Sequence, residues 1–166
     1  MDNQKIDRKI AVIFATDVVG FSTAMETDED QTLKNFRACK NILDDLFKEH
    51  SGRVFNTAGD SVLAEFSSAV SAVICASEFQ KLIQERNAST SLPENGKMEF
   101  RVGLNMGDVI VEGSNLYGDG VNVAARLEAL AQPNGVCLSK SIHDFVNKKT
   151  EFLFDDLGEQ KVKNTN

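Results

Sequence analysis

The 166-residue sequence predicts an α+β fold: one sheet covered by helices, built on a β-α-β-β-α-β order with additions. Three observations carry that expectation. Lys9 to Thr16, Lys-Ile-Ala-Val-Ile-Phe-Ala-Thr, is a nearly continuous apolar run rich in β-branched residues, as expected of a central strand buried on both faces. Two long stretches carry apolar residues at helical spacing. Between them Arg53 to Thr57 and Ser61 to Phe66 are joined by Ala58-Gly59-Asp60, a hairpin signal.

In chain order, the first strand ends on Asp17. The stripe Leu33, Phe36, Cys39, Leu43, Leu46 and Phe47 predicts a helix that starts after Thr27-Asp-Glu-Asp, with Thr27 as cap, and ends near Gly52. The hairpin follows, then a second helix from about Ser67 to Asn87 with Val70, Val73, Ile74, Phe79, Leu82 and Ile83 inward. Ala88 to Lys97 reads as a surface loop. Two strands are expected at Met98 to Asn105 and Val109 to Glu112, separated by Met106-Gly107-Asp108. A helix at Val121 to Ala131, a strand at Val136 to Ser139, a helix at Ile142 to Asn147 and a strand at Phe152 to Phe154 complete the pass. The helices are expected on one face of the sheet.

Composition bounds the function. A chain of this length buries roughly 70% of the surface its unfolded form exposes, enough for a single domain (1–166) with its own core. The formal net charge of −7 argues against nucleic-acid binding, where Lys and Arg must neutralise phosphates. Cys39, Cys75 and Cys137 are an odd number, far apart and set in apolar runs, so they read as buried free thiols of a reducing compartment. No segment is apolar enough to span a membrane and the first residues do not resemble a signal peptide, so a cytoplasmic location is expected. The final Lys-Val-Lys-Asn-Thr-Asn has no apolar closing segment, as expected of a domain cut from a longer protein.

Asp17 ends the first strand and Asp60 sits in the hairpin turn, so neighbouring strands would bring both carboxylates to one sheet end. Taken singly, each is equally a turn or cap residue. Together they repel unless a cation lies between them, and Mg²⁺ or Mn²⁺ suits such oxygen donors and shares its shell with substrate phosphates. Val19-Gly20-Phe21-Ser22 is a strand-to-helix turn whose N–H groups can cradle a triphosphate. Downstream, Asn122 and Arg126 stand four apart on one helical face, with Val121, Ala125 and Leu127 inward. Such a pair can orient a ribose and stabilise charge on a transferring phosphoryl group, or form an ordinary solvated face. His50 and His143 read as isolated, without a metal-ligand partner at useful spacing.

Four ordered segments, Phe14-Ala-Thr-Asp-Val-Val-Gly-Phe-Ser, Asn56-Thr-Ala-Gly-Asp-Ser-Val-Leu-Ala-Glu-Phe, Arg101-Val-Gly-Leu-Asn-Met-Gly-Asp-Val and Leu116-Tyr-Gly-Asp-Gly-Val-Asn-Val-Ala-Ala-Arg-Leu-Glu, together resemble the class III adenylate/guanylate cyclase catalytic domain. The resemblance spans almost the whole chain. It implies a ferredoxin-like βαββαβ core with additional strands and helices, and a homodimer with active sites built across the interface. Asp17, Asp60 and the backbone carbonyl of Val18 would hold two divalent ions, Mg²⁺ or Mn²⁺. Arg101 would contact the triphosphate from the same protomer, and Lys163 from the partner. The partner's Asn122 and Arg126 would hold the ribose and the transition state. The product would be a 3′,5′-cyclic nucleotide, made from ATP by preference and from GTP as the second candidate, with pyrophosphate released.

The sequence departs from the family pattern where the base is read: Asn56 and Asn115 occupy those positions. An amide donates or accepts by rotating, so weak or unconventional base selectivity is expected. The same departure favours the alternative reading, a non-catalytic cyclase-homology module that binds nucleotide and serves as a dimerising or regulatory domain. A metal-dependent phosphodiesterase or a polymerase-like palm shares the paired carboxylates but does not account for Asn122 and Arg126. Since Met1 lies a few residues before the first strand, any regulatory domain is expected on the C-terminal side or as a separate protein.

Overall fold

The computed structural model describes residues 6–147. In order these form β1 (Asp7–Val18), α1 (Phe21–Thr27), α2 (Glu29–His50), β2 (Gly52–Ala58), β3 (Ser61–Phe66), α3 (Ala69–Asn87), a short 3-10 turn (Glu94–Gly96), β4 (Phe100–Glu112), β5 (Asn115–Tyr117), α4 (Asp119–Leu130), β6 (Val136–Leu138) and α5 (Lys140–Val146). The expected α+β class and core order are present. The sheet runs β2-β3-β1-β4-β5, with antiparallel neighbours, and β6 pairs parallel to β4 along Val102–Leu104. The expected strand at Phe152 to Phe154 lies outside the described residues.

β1 is apolar from Ala11 to Ala15 because both of its faces are covered. Val12, Phe14 and Val18 point into a core made with α2, α3 and α5, where Phe14 packs edge-on to Phe47 with centroids 5.2 Å apart. Ala11, Ile13 and Ala15 point the other way, against Val121 and Ala124 of α4. The expectation of helices on one face alone is therefore corrected: α4 covers the second face. Glycine makes that close seat possible, since a Cβ on Gly103 of β4 would stand 2.3 Å from the Glu128 nitrogen and 2.4 Å from the Ala124 carbonyl oxygen.

β4 is one strand, not two. Its pairing with β1 runs unbroken from Asp7 opposite Val111 to Val18 opposite Phe100, and Gly107 falls mid-ladder opposite Ala11. Gly107 serves a close approach to α4, its hypothetical Cβ lying 3.5 Å from Gly120 Cα, so the turn signal was misleading.

Smaller differences have local causes. The cap of α2 is Asp28, which accepts the Gln31 N–H at 3.1 Å, while Thr27 donates back to the Thr23 carbonyl inside α1. On α3 Val73, Phe79 and Ile83 point inward as expected, joined by the small residues Ala69, Ala72, Cys75 and Ala76, while Leu82 is turned outward. On α4 the inward residues include Ala124, while Ala125 is exposed. The three cysteines are free and buried, and burial pushes each thiol above its ordinary range, Cys75 to about 12 with help from the Glu78 and Glu49 charges. They are inert as nucleophiles. No helix among the described residues is long and apolar enough to cross a membrane.

Replacing Gly103 with Ala must lift α4 from the sheet. The expected loss, read from the denaturant midpoint, is about 1–3 kcal/mol, the cost of overpacking a closed core. An unchanged midpoint would contradict the close seat.

Candidate active site

The β2–β3 hairpin turns on Gly59, at φ 59°, and Asp60, with Ala58 paired to Ser61. Asp60 Oδ2 accepts the Val18 N–H at 2.8 Å, which fastens the turn to the end of β1. Asp17 precedes Val18, so the two carboxylates come to one end of the sheet, as expected. Asp17 lies opposite Arg101 in the β1–β4 register, and the guanidinium grips it bidentately: Nε donates to Oδ1 at 3.1 Å and Nη2 to Oδ2 at 2.7 Å. Arg101 Nη1 also donates to the Ala129 carbonyl at 3.3 Å. The Asp17 hydrogen bonds hold Arg101 more firmly protonated than usual.

A third carboxyl closes the cluster. Glu128 of α4 is 8% exposed, and its Oε2 stands 3.7 Å from Arg101 Nη2. Burial, the Asp17 charge and a hydrogen bond to Asp17 push the Glu128 carboxyl up to about 8, against the pull of Arg101. Sequence reasoning missed this residue, although a signal existed. Glu128 continues the buried stripe of Val121 and Ala124, and an acid on an apolar stripe is there for a reason other than solubility.

The turn after β1 is only partly as expected. Gly20 adopts the left-handed conformation, φ 68°, directly before α1, and no side chain caps that helix, so its first amides have no side-chain acceptor. Phe21 anchors α1 on Phe36 of α2, with ring centroids 5.7 Å apart. Val19, however, donates its N–H to the Glu99 carbonyl at 2.8 Å, so that amide is already committed. Ser22 is exposed.

Asn122 is exposed and Arg126 half-buried, on the side of α4 turned away from Glu128. Arg126 Nε is fully occluded and has no hydrogen-bond partner among the described residues. Asn56 is exposed, at an irregularity of the β2–β3 ladder, whereas Asn115 is half-buried with its amide engaged. It donates to the Tyr117 hydroxyl at 3.0 Å, and its oxygen accepts the Leu116 N–H at 2.9 Å. Lys163 lies outside the described residues.

The expectation that His50 lacks a metal-ligand partner at useful spacing is corrected. Its Nε2 stands 3.6 Å from Glu49 and 3.5 Å from Glu78, a residue brought in by α3, and the three side chains each offer a ligand atom within 4.8 Å of the others. It begins where β2 begins, at the opposite end of that strand from Asp60.

Asp17 and Asp60 offer hard oxygen donors, and a guanidinium already engages both oxygens of Asp17, so the cluster accommodates positive charge there. The donor set fits Mg²⁺ or Mn²⁺.

Residues 2–166 match the model of the adenylate and guanylate cyclase catalytic domain, and the chain belongs to that family. A putative adenylate cyclase 3 of Rhizobium meliloti is 48% identical over 165 residues, covering 99% of this chain and 28% of the relative. An adenylate cyclase of Streptomyces coelicolor is 32% identical over 136 residues, 81% of this chain and 33% of the relative. The chain thus matches about a third or less of the length of each curated relative. Among solved structures, an adenylate/guanylate cyclase/hydrolase from Silicibacter pomeroyi superposes with a TM-score of 0.89 at 36% identity, covering 98% of this chain and 94% of that one.

The raised Glu128 value carries a pH dependence. The folded chain keeps a proton that the unfolded chain releases above the ordinary value of 4.5, so this stability is complete below about 4.5 and is lost as pH rises through about 8. With divalent cations chelated, the thermal midpoint is expected to fall between about pH 5 and pH 8. Glu128→Gln should flatten that slope, and an equal slope in both proteins would contradict the assignment.

Proposed function

We propose that the domain is a divalent-metal-dependent nucleotidyl cyclase that converts ATP, with GTP as second candidate, to the 3′,5′-cyclic nucleotide and pyrophosphate. One observation carries the reading: Asp17, Asp60 and Arg101 converge at one sheet end, while Arg126, whose occluded Nε has no partner among the described residues, lies on the side of α4 turned from Glu128. A single chain therefore keeps Arg126 apart from its carboxylates, which is the expectation for sites completed by a second copy. The names borne by the relatives, adenylate cyclase in both curated cases, favour ATP.

In the reaction the ribose 3′-oxygen attacks the α-phosphorus, the bond from that phosphorus to the β-phosphate bridging oxygen breaks, the hydroxyl proton leaves, and pyrophosphate departs. Two Mg²⁺ or Mn²⁺ ions held by Asp17, Asp60 and the Val18 carbonyl would supply the acidity of the 3′-hydroxyl and neutralise phosphate charge. Arg101 and the amides from Gly20 to Ser22 hold the triphosphate, joined by the partner's Lys163. Asn122 of the partner orients the ribose, and its Arg126 meets the charge that grows on the α-phosphate oxygens, where a preformed donor is worth most. Asn56 and Asn115 face the base. The Asn115 amide is already satisfied by Tyr117 and Leu116, which supports weak discrimination between adenine and guanine.

Asp17→Ala and Asp60→Ala are each expected to lower cyclisation at least about 100-fold with the fold retained, as loss of a metal-site carboxylate should. Mixing Asp60→Ala chains with Arg126→Ala chains should restore about a quarter of wild-type activity, because random pairing in a two-fold dimer leaves that share of sites whole. No recovery in verified heterodimers would contradict shared sites, and undiminished activity of either aspartate variant would sink the mechanism.

A further inference from the structure

Arg101 occupies the place that the proposed cation needs. Its guanidinium engages both Asp17 oxygens, at 3.1 and 2.7 Å, and a bidentate pair of this kind is among the stronger polar contacts a protein makes. A divalent ion and a guanidinium on one carboxylate repel each other, so Asp17 cannot serve both fully. The displaced head needs a hydrogen-bond acceptor nearby, since a half-buried arginine without a partner is costly.

Glu128 meets that need. Its Oε2 is 3.7 Å from the same Nη2 that donates to Asp17, short of a hydrogen bond and within reach of one after a small rotation. The contact from Nη1 to the Ala129 carbonyl belongs to α4, like Glu128, so it can serve as the pivot. The position of Glu128 is rigid: the α4 backbone at that residue rests directly on Gly103 of β4.

We infer that Glu128 is a positioning residue, the second seat of Arg101, which takes the guanidinium from Asp17 when a divalent cation binds there. In the cation-free chain Arg101 closes Asp17; in the loaded chain Glu128 holds Arg101 at the rim of the site, where the triphosphate would lie. This rests on the cyclase reading for the role of the cation, but the exchange is a property of Asp17, Arg101 and Glu128 themselves.

The test is a double-mutant cycle read by Mn²⁺ binding to the whole chain without nucleotide, with free Mn²⁺ measured by electron paramagnetic resonance. Glu128→Gln should weaken binding about tenfold, within the coupling found for residues of one ion-pair network. Arg101→Gln should tighten it, because Asp17 is freed. In the Arg101→Gln background Glu128→Gln should change it less than about twofold, there being no guanidinium left to seat. Glu128→Asp should recover part of the lost affinity, which a purely structural role would not require. Equal effects of Glu128→Gln in both backgrounds would overturn the second seat and leave Glu128 a plain source of negative potential. No effect in the wild-type background, or no Mn²⁺ binding by the wild-type chain, would overturn it as well. If Arg101→Gln does not fold, Arg101→Lys takes its place, since a point charge cannot grip Asp17 bidentately. Cyclic product from wild-type protein with an additive cycle would retain the cyclase reading and remove the seat. A coupled cycle without any product would do the reverse.

Discussion

Everything at this site depends on the register between β1 and β4. The two strands pair without interruption from Asp7 opposite Val111 to Val18 opposite Phe100, and this ladder sets Asp17 across from Arg101. In such a ladder a slip of one residue would turn every side chain to the other face. The register is held by burial on both sides of β1, where alternate residues answer to two different cores. The hairpin is tied to the same strand by the bond from Val18 to Asp60, so the second carboxylate inherits its place from the first.

The close contact between α4 and β4 at Gly103 adds the third carboxyl. Because the helix backbone touches the strand, Glu128 is pressed into the cluster with little room for water, and its carboxyl responds by holding a proton well above the ordinary range. Asp17 and Glu128 thus flank one arginine, and the Asp60 charge acts on it from the hairpin turn. Such an arrangement is poorly balanced as a structural ion pair and well suited to admit further positive charge.

Much of this was legible in the residues. The apolar run ending on Asp17, the hairpin signal around Gly59 and the helical stripe through Cys39 and Leu43 each reported a local requirement, and local requirements leave local traces. What stayed hidden was set by distant partners. The Gly107 turn signal concealed a continuous strand because a long neighbour, β1, overrode it. The second covered face of the sheet depended on glycines at 103 and 120 whose meaning appears only when α4 is seen to lie on β4. His50 found its carboxylate on α3, beyond the reach of any spacing rule. Glu128 was readable in principle as an acid on a buried stripe, but its neighbours Asp17 and Arg101 come from other elements. The motif resemblance pointed to Asp17, Asp60, Asn122 and Arg126 by kind; the structure brings the first two together in one chain.

Whether these residues make a cyclic nucleotide can be read from the products. The most direct measurement incubates the purified chain with ATP and GTP in parallel, first with Mg²⁺ and then with Mn²⁺, and identifies products by mass. Cyclic AMP, cyclic GMP or both, together with pyrophosphate, are expected above the level of an Asp60→Ala blank. A dimeric protein that binds nucleotide and metal yet forms no cyclic product would contradict the cyclase reading and make the domain a binding module.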